Sequence, residues 1–143
     1  MTHGIDTSFL VATELASHTR HGASRALLQR LSEAGDDLGL APQVLAEFVH
    51  VVTDPRRCSS PLTLPTALER AGLIWNAAQV RQVFPDAAAA AQFLAWMRQH
   101  LLGRKRLLDT LLAATYWSAG IRSVVTLNPA DFDVFGCFAV VTP

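Results

Sequence analysis

The chain has 143 residues, half of them apolar, and twelve basic side chains balance twelve acidic ones. That length supports one sizeable core without staples, and the zero net charge excludes a global field that would draw the protein onto nucleic acid or an anionic membrane. The two cysteines, Cys58 and Cys137, have neither a metal-ligand spacing nor a partner set for a disulfide framework, so a reduced, cytoplasmic protein is expected.

The opening stretch HGIDTSFLVATEL reads as a short strand over His3–Ile5 followed directly by a helix through Phe9, Leu10, Ala12 and Leu15. Asp6, Thr7 and Ser8 sit at the junction, where each is a good helix N-cap. A second helix runs from about Ala23 through Leu27, Leu28 and Leu31 and ends at Gly35, a natural left-handed C-cap. DLGLA, from Asp37, is a second buried strand. Pro42 suits the first turn of the helix QVLAEFVHVV, which stops before Asp54-Pro55 because the residue before a proline avoids helical angles.

RRCSSPLTLP is a loop. Thr66-Ala-Leu-Glu69 has capping-box spacing and starts a helix, and Asp86 caps the alanine-rich helix that follows. RLLDTLLAATYWSAG is apolar almost all round and ends on Gly120, which places it deep against the sheet. RSVVTL is a strand, NPADF a short helical turn with Asn128 as N-cap and Pro129 first, and CFAVV the last strand. Strands separated by helices imply parallel pairing with helices on both faces. The most apolar stretches, such as AAAAAQFLAWM, fall short of the ~20 residues that span a bilayer, so a soluble protein without a membrane segment is expected.

Three acids stand where a core does not want them. Asp6 follows the first strand. Glu47 shares a helical face with Val44 and Val51 and has no basic residue within a turn, so it is expected to face the core side. Asp109 shares its face with Leu112, Ala113 and Tyr116; the alternative is an N-cap, with the helix starting at Thr110. In an open parallel sheet, ligands bind at the carboxyl ends of the strands. Asp6 and Asn128 each follow a strand and share that edge. A cluster of such acids repels itself, and a hard divalent cation with oxygen ligands, Mg²⁺ or Mn²⁺, relieves it.

GIDTSFLV, the isolated Glu47 in VLAEFV, RLLDTLLAATYWSAGI and TLNPADF stand in the order and spacing of the PIN-domain ribonucleases. The chain most resembles the VapC toxins of toxin–antitoxin pairs, over essentially its whole length. The resemblance implies one α/β/α PIN-like domain over residues 1–143 with a short, mainly parallel sheet. It also implies metal-dependent hydrolysis of RNA phosphodiester bonds, a cognate antitoxin and a homodimer. Carried over residue by residue, the catalytic acids are Asp6, Glu47, Asp109 and Asp131, with Asn128 as a further metal ligand. Many relatives have aspartate at the position of Asn128 and asparagine at that of Ser8, so the chain departs from the pattern at both.

Arg104, Lys105 and Arg106 precede the Asp109 helix and are candidates to hold RNA phosphates; Arg56-Arg57 is a lesser one. Trp75, Trp96 and Trp117 sit among apolar neighbours and read as core or interface. The helices Phe9–Leu15 and Leu27–Leu31, with WNAAQVRQVF, offer apolar surface for an antitoxin, though core burial explains the same residues. Two rival readings stay open at this point: a PIN-like module that binds a partner without catalysis, and a signalling receiver. The receiver lacks support, since no second acid accompanies Asp6 and Lys105 is the only lysine.

Overall fold

The computed structural model describes residues 1–143. Five strands, β1 (Thr2–Ile5), β2 (Asp37–Leu40), β3 (Val80–Gln82), β4 (Ser123–Val125) and β5 (Ala139–Val141), form one sheet in the order β3-β2-β1-β4-β5. Every pairing is parallel, as strands joined through helices require. The helices are α1 (Thr7–Glu14), α2 (His21–Glu33), α3 (Pro42–Val52), α4 (Leu64–Trp75), α5 (Ala87–Gln99), α6 (Leu107–Ser118) and α7 (Ala130–Asp133), with a 3-10 turn over Arg104–Arg106 before α6. This is the three-layer α/β/α arrangement read from the sequence. No helix is long and apolar enough to cross a membrane.

The pleat decides which layer each strand residue meets. Ile5, Leu38 and Leu40 point to the side lined by Phe9 and Leu10 of α1, Leu28 of α2 and Ile74 of α4. Gly4 and Gly39, paired in register on neighbouring strands, leave the opposite face flat. A Cβ on Gly4 would stand 2.5 Å from the Tyr116 ring, and one on Gly39 2.6 Å from Ile121. The two glycines thus let α6 and the segment after it lie directly on the sheet. Tyr116, fully buried, donates its hydroxyl to the Ile5 carbonyl at 2.6 Å. Burial and the Asp6 charge push that phenol far above its ordinary pKa, so it stays a donor.

Most element ends follow the local rules. Pro42 opens α3, Gly35 and Gly120 take the left-handed φ values of 75° and 79° beyond their helices, and Asp86 caps α5. Three features differ from the sequence reading. α4 begins at Leu64 with Thr63 as N-cap, not at the capping box Thr66–Glu69, because Pro65 is well placed in the first turn. The last short helix begins at Ala130, so Asn128 caps nothing; its backbone N–H donates instead to Thr126 Oγ1. β3 carries no alternation, since three residues at a sheet edge, Val80 half-buried and Arg81 and Gln82 exposed, are too few to show one. The tryptophans are packed as expected: Trp96 stacks on Phe135 with ring centres 4.5 Å apart and meets Trp117 edge-on.

Asp86 also ties two helices together, because its Oδ1 accepts from both Ala89 N at 2.8 Å and Ser118 Oγ at 2.6 Å. The Ser118 bond first, then the Ala89 bond, hold its carboxyl below the ordinary 3.8. A depressed carboxyl stabilises the fold above its unfolded value and loses that contribution as pH falls through the folded one. Asp86→Ala is therefore expected to lower Tm at neutral pH. The gap to the unmutated protein should narrow below about pH 4, which thermal scans across pH would read.

Candidate active site

The strand order places β1 and β4 side by side at the point where the chain reverses its direction of winding. A crevice at the carboxyl ends of the strands is expected there. It exists: an open cleft of about 360 Å³ is lined by Asp6, Thr7, Ser8, Val11, His18, Glu47, Val51, Arg57, Asp109, Asn128 and Asp131. All five oxygen ligands expected from the sequence come together in it.

Asp6 follows β1 and is the N-cap of α1, with Oδ1 accepting from Thr7 N at 2.9 Å. Its Oδ2 accepts from Ser8 Oγ at 2.7 Å and from Thr126 Oγ1 at 2.6 Å. Each hydroxyl in turn accepts from the chain after β4: Ser8 Oγ from Leu127 N at 3.0 Å, Thr126 Oγ1 from Asn128 N at 2.9 Å. The cap is therefore also a clamp that fixes the β4 end, and with it Asn128, against Asp6. Ser8 thereby gains a physical role, bridging the Asp6 carboxylate and the Leu127 backbone.

Glu47, on α3, is exposed, which corrects the expectation that it faces the core side. The cleft cuts into the helix face it shares with buried Val44, so its carboxylate opens to solvent. Oε2 accepts from Thr7 Oγ1 at 3.1 Å. Asp109 is not an N-cap, because α6 begins at Leu107. It stands two turns before Tyr116 on the face that lies against β1, which carries it to the end of the strand beside Asp6. Asp131 comes from α7.

Away from the cleft, Asp36 meets the Met1 ammonium at 2.8 Å and His3 at 3.2 Å. In the cleft the balance is negative. No basic group lies within 4.0 Å of Asp6 or Glu47. Burial first, then the charges of Asp131 and Asp6, push the Asp109 carboxyl up to about 6, with Glu47 adding to the rise and Arg106 opposing it.

Of the basic residues named above, Arg104 and Lys105 are exposed and do not line the cleft. Arg106 turns inward. Its Nη2 donates to the Asp131 carbonyl at 2.6 Å, its Nη1 lies 3.5 Å from Asp131 Oδ1 and its Nε 3.7 Å from Asp109 Oδ2. Arg57 and His18 were not foreseen at the cleft as phosphate or proton groups beyond the weak mark on Arg57. Both lie outside regular elements, where no periodicity assigns a face. His18 Nδ1 accepts from Arg20 N at 3.0 Å, so the proton of the neutral ring sits on Nε2.

The donor set is uniformly hard oxygen, crowded and short of positive charge, which fits Mg²⁺ or Mn²⁺. No three carboxylate or imidazole groups converge into a ready cage. The residues still fit: their carboxylates face one open cleft, and an ion there would offset the like charges around Asp109.

Three comparisons bear on this arrangement. The VapC20 toxin of Mycobacterium tuberculosis, described as cleaving the sarcin-ricin loop, is 25% identical with a TM-score of 0.75, and all of both chains is covered. The VapBC2 structure from Rickettsia felis, bound to a promoter DNA fragment, shares the fold at 14% identity and a TM-score of 0.71, covering 100% of this chain and 99% of that one. FitAcB from Neisseria gonorrhoeae does so at 20% identity and 0.64, covering 98% and 96%. No protein of curated function matches the sequence. The PIN-domain family model matches residues 5–135, a span that opens just before Asp6 and closes just after Asp131, and with every acid of the cleft inside it the chain belongs to the PIN-domain family.

Proposed function

We propose that the protein is a metal-dependent ribonuclease that hydrolyses RNA phosphodiester bonds, and that it is the toxin of a toxin–antitoxin pair. The observation that carries this reading is the convergence of Asp6, Glu47, Asp109 and Asp131 on one cleft at the β1–β4 switch point. The likeness to VapC20 and to two-component complexes such as FitAcB supports the toxin part. A cognate antitoxin, a homodimer and a cytoplasmic site of action belong to the same proposal.

Asp6 and Asp109 would hold the ion directly, with Asn128 able to offer its carbonyl oxygen and Asp131 adding negative charge beside Asp109. A bound Mg²⁺ or Mn²⁺ supplies Lewis-acid polarisation of the phosphoryl oxygen and a water acidic enough to ionise near neutral pH. The chain's own groups do the rest. The clamp of Ser8 and Thr126 holds Asp6 in a fixed rotamer, so little is lost in reorganisation. Glu47, tethered by Thr7 and open to solvent, orients the attacking water and takes its proton. Arg57 holds a non-bridging phosphate oxygen from the rim, and His18, with Nε2–H free, donates a hydrogen bond to the leaving oxygen.

The test is cleavage of RNA by purified protein with Mg²⁺, compared with EDTA and with Asp6→Asn. Asparagine caps a helix as well as aspartate, so the circular dichroism spectrum should stay unchanged while cleavage falls at least about a hundredfold, the scale of losing several kcal/mol of charge stabilisation. Undiminished cleavage by Asp6→Asn would refute the mechanism. Growth inhibition on expression that is unrelieved by the product of the adjacent reading frame would remove the toxin role and leave the nuclease.

A further inference from the structure

We propose that the Arg106 guanidinium occupies the place of a second cation, so that the centre binds one divalent ion and completes its charge with an arginine of its own. The proposal rests on the nuclease reading above and assigns the stoichiometry of the same site.

The geometry is that of a built-in counter-ion. The 3-10 turn over Arg104–Arg106 ends where α6 begins, which sets Arg106 one helical turn before Asp109. Its Nη2 bond to the Asp131 carbonyl, at 2.6 Å, fixes the fork. The fork then faces Asp131 Oδ1 at 3.5 Å and Asp109 Oδ2 at 3.7 Å, and so stands at the space that a metal bridging the two carboxylates would need. The side chain is only 25% exposed, less than either acid, and it is a rotamer-rich group held in place by a short bond.

A further observation agrees. Arg106 Nε is buried without any hydrogen-bond acceptor, a costly state for a charged donor unless the field around it compensates. Arg57 also lines the cleft but pairs with Asp54 at 3.8 Å, and Asp6 and Glu47 meet only hydroxyl and backbone donors. A divalent ion is therefore accepted beside Asp6 and Asp109 and repelled from the Asp109–Asp131 side. Asn128, a neutral amide, adds no attraction for a second ion there.

The stoichiometry is measured with Mn²⁺ alone, by equilibrium dialysis with electron paramagnetic resonance of the free ion. The unmutated protein should bind one Mn²⁺ per chain, Arg106→Met should bind two, and Arg106→Lys, which keeps the charge, should bind one. Two equally tight sites in the unmutated protein, or a single site in Arg106→Met, overturn the proposal while leaving the nuclease reading standing. No bound Mn²⁺ in the unmutated protein overturns both. Should Arg106→Met fail to fold, Asp131→Asn carries the test: a retained single ion supports the assignment, and its loss overturns it.

Discussion

Asp109→Asn is expected to abolish RNA cleavage and at the same time to make the metal-free protein more stable. The carboxyl is raised from 3.8 to about 6 by burial and by the charges of Asp131 and Asp6. A folded value above the unfolded one means that the folded state binds the proton more tightly. The contribution of this one group to stability is then highest below about pH 4, declines as pH rises towards 6, and stays low above it. The side chain is 33% exposed, so solvent screening reduces the cost of its charge to about 1–2 kcal/mol at pH 7. For a chain of this length that is a rise of about 3–6 °C in Tm on substitution. The advantage should open between about pH 4 and 6 and hold above. Added Mn²⁺ should raise the Tm of the unmutated protein, since only the folded state binds it, and should leave Asp109→Asn nearly unmoved. Thermal scans in EDTA and in Mn²⁺, run beside the cleavage assay, separate the effects. A variant that is inactive but no more stable would show that Asp109 carries no electrostatic strain.

Gly4→Ala should be among the most damaging single-methyl changes in the protein. The new Cβ would lie 2.5, 2.7 and 2.8 Å from three carbons of the Tyr116 ring, which is fully buried and tethered to the Ile5 carbonyl. Overpacking of this kind costs about 3 kcal/mol, or about 10 °C in Tm at this size. The damage should also reach the chemistry. α6 can relieve the clash only by moving off the sheet, and that movement takes Asp109 away from Asp6. A weakened Mn²⁺-dependent rise in Tm is thus expected alongside the lowered baseline. Tyr116→Phe in the same background should bring no rescue, because the contact is with ring carbons rather than the hydroxyl. Tyr116→Leu should recover part of the loss. Urea unfolding that places Gly4→Ala within 0.5 kcal/mol of the unmutated protein, a margin typical of innocuous surface changes, would mean that the helix has room the structure does not show.

Much of this site was legible because its residues break patterns that the rest of the chain keeps. Asp109 and Glu47 interrupt apolar helical faces, and Asp6 and Asn128 fall just past strands whose parallel order dictates a shared edge. The exposure of Glu47 was not legible, since a helical period tells which face a residue shares and says nothing of a cleft carved into that face. The hydroxyls of Thr7, Ser8 and Thr126 were equally hidden. Each reads as an ordinary cap or strand-end residue until topology sets Thr126 against Asp6. Arg106 read as one of three equivalent loop cations, and only the 3-10 turn distinguishes it, by rotating it inward while Arg104 and Lys105 point out. β3 and the start of α4 were lost to short length and to a second threonine three positions away.

The double duty of Asp6 has a consequence for how such chains decay. Asp6 stabilises the fold as the cap of α1 and as the anchor for the β4 end, whereas Asp109 weakens it whenever no ion is bound. In a lineage released from selection for cleavage, drift under stability alone would discard Asp109 early and keep Asp6. The first acid would then persist in silent descendants, and the third would mark which of them still cut.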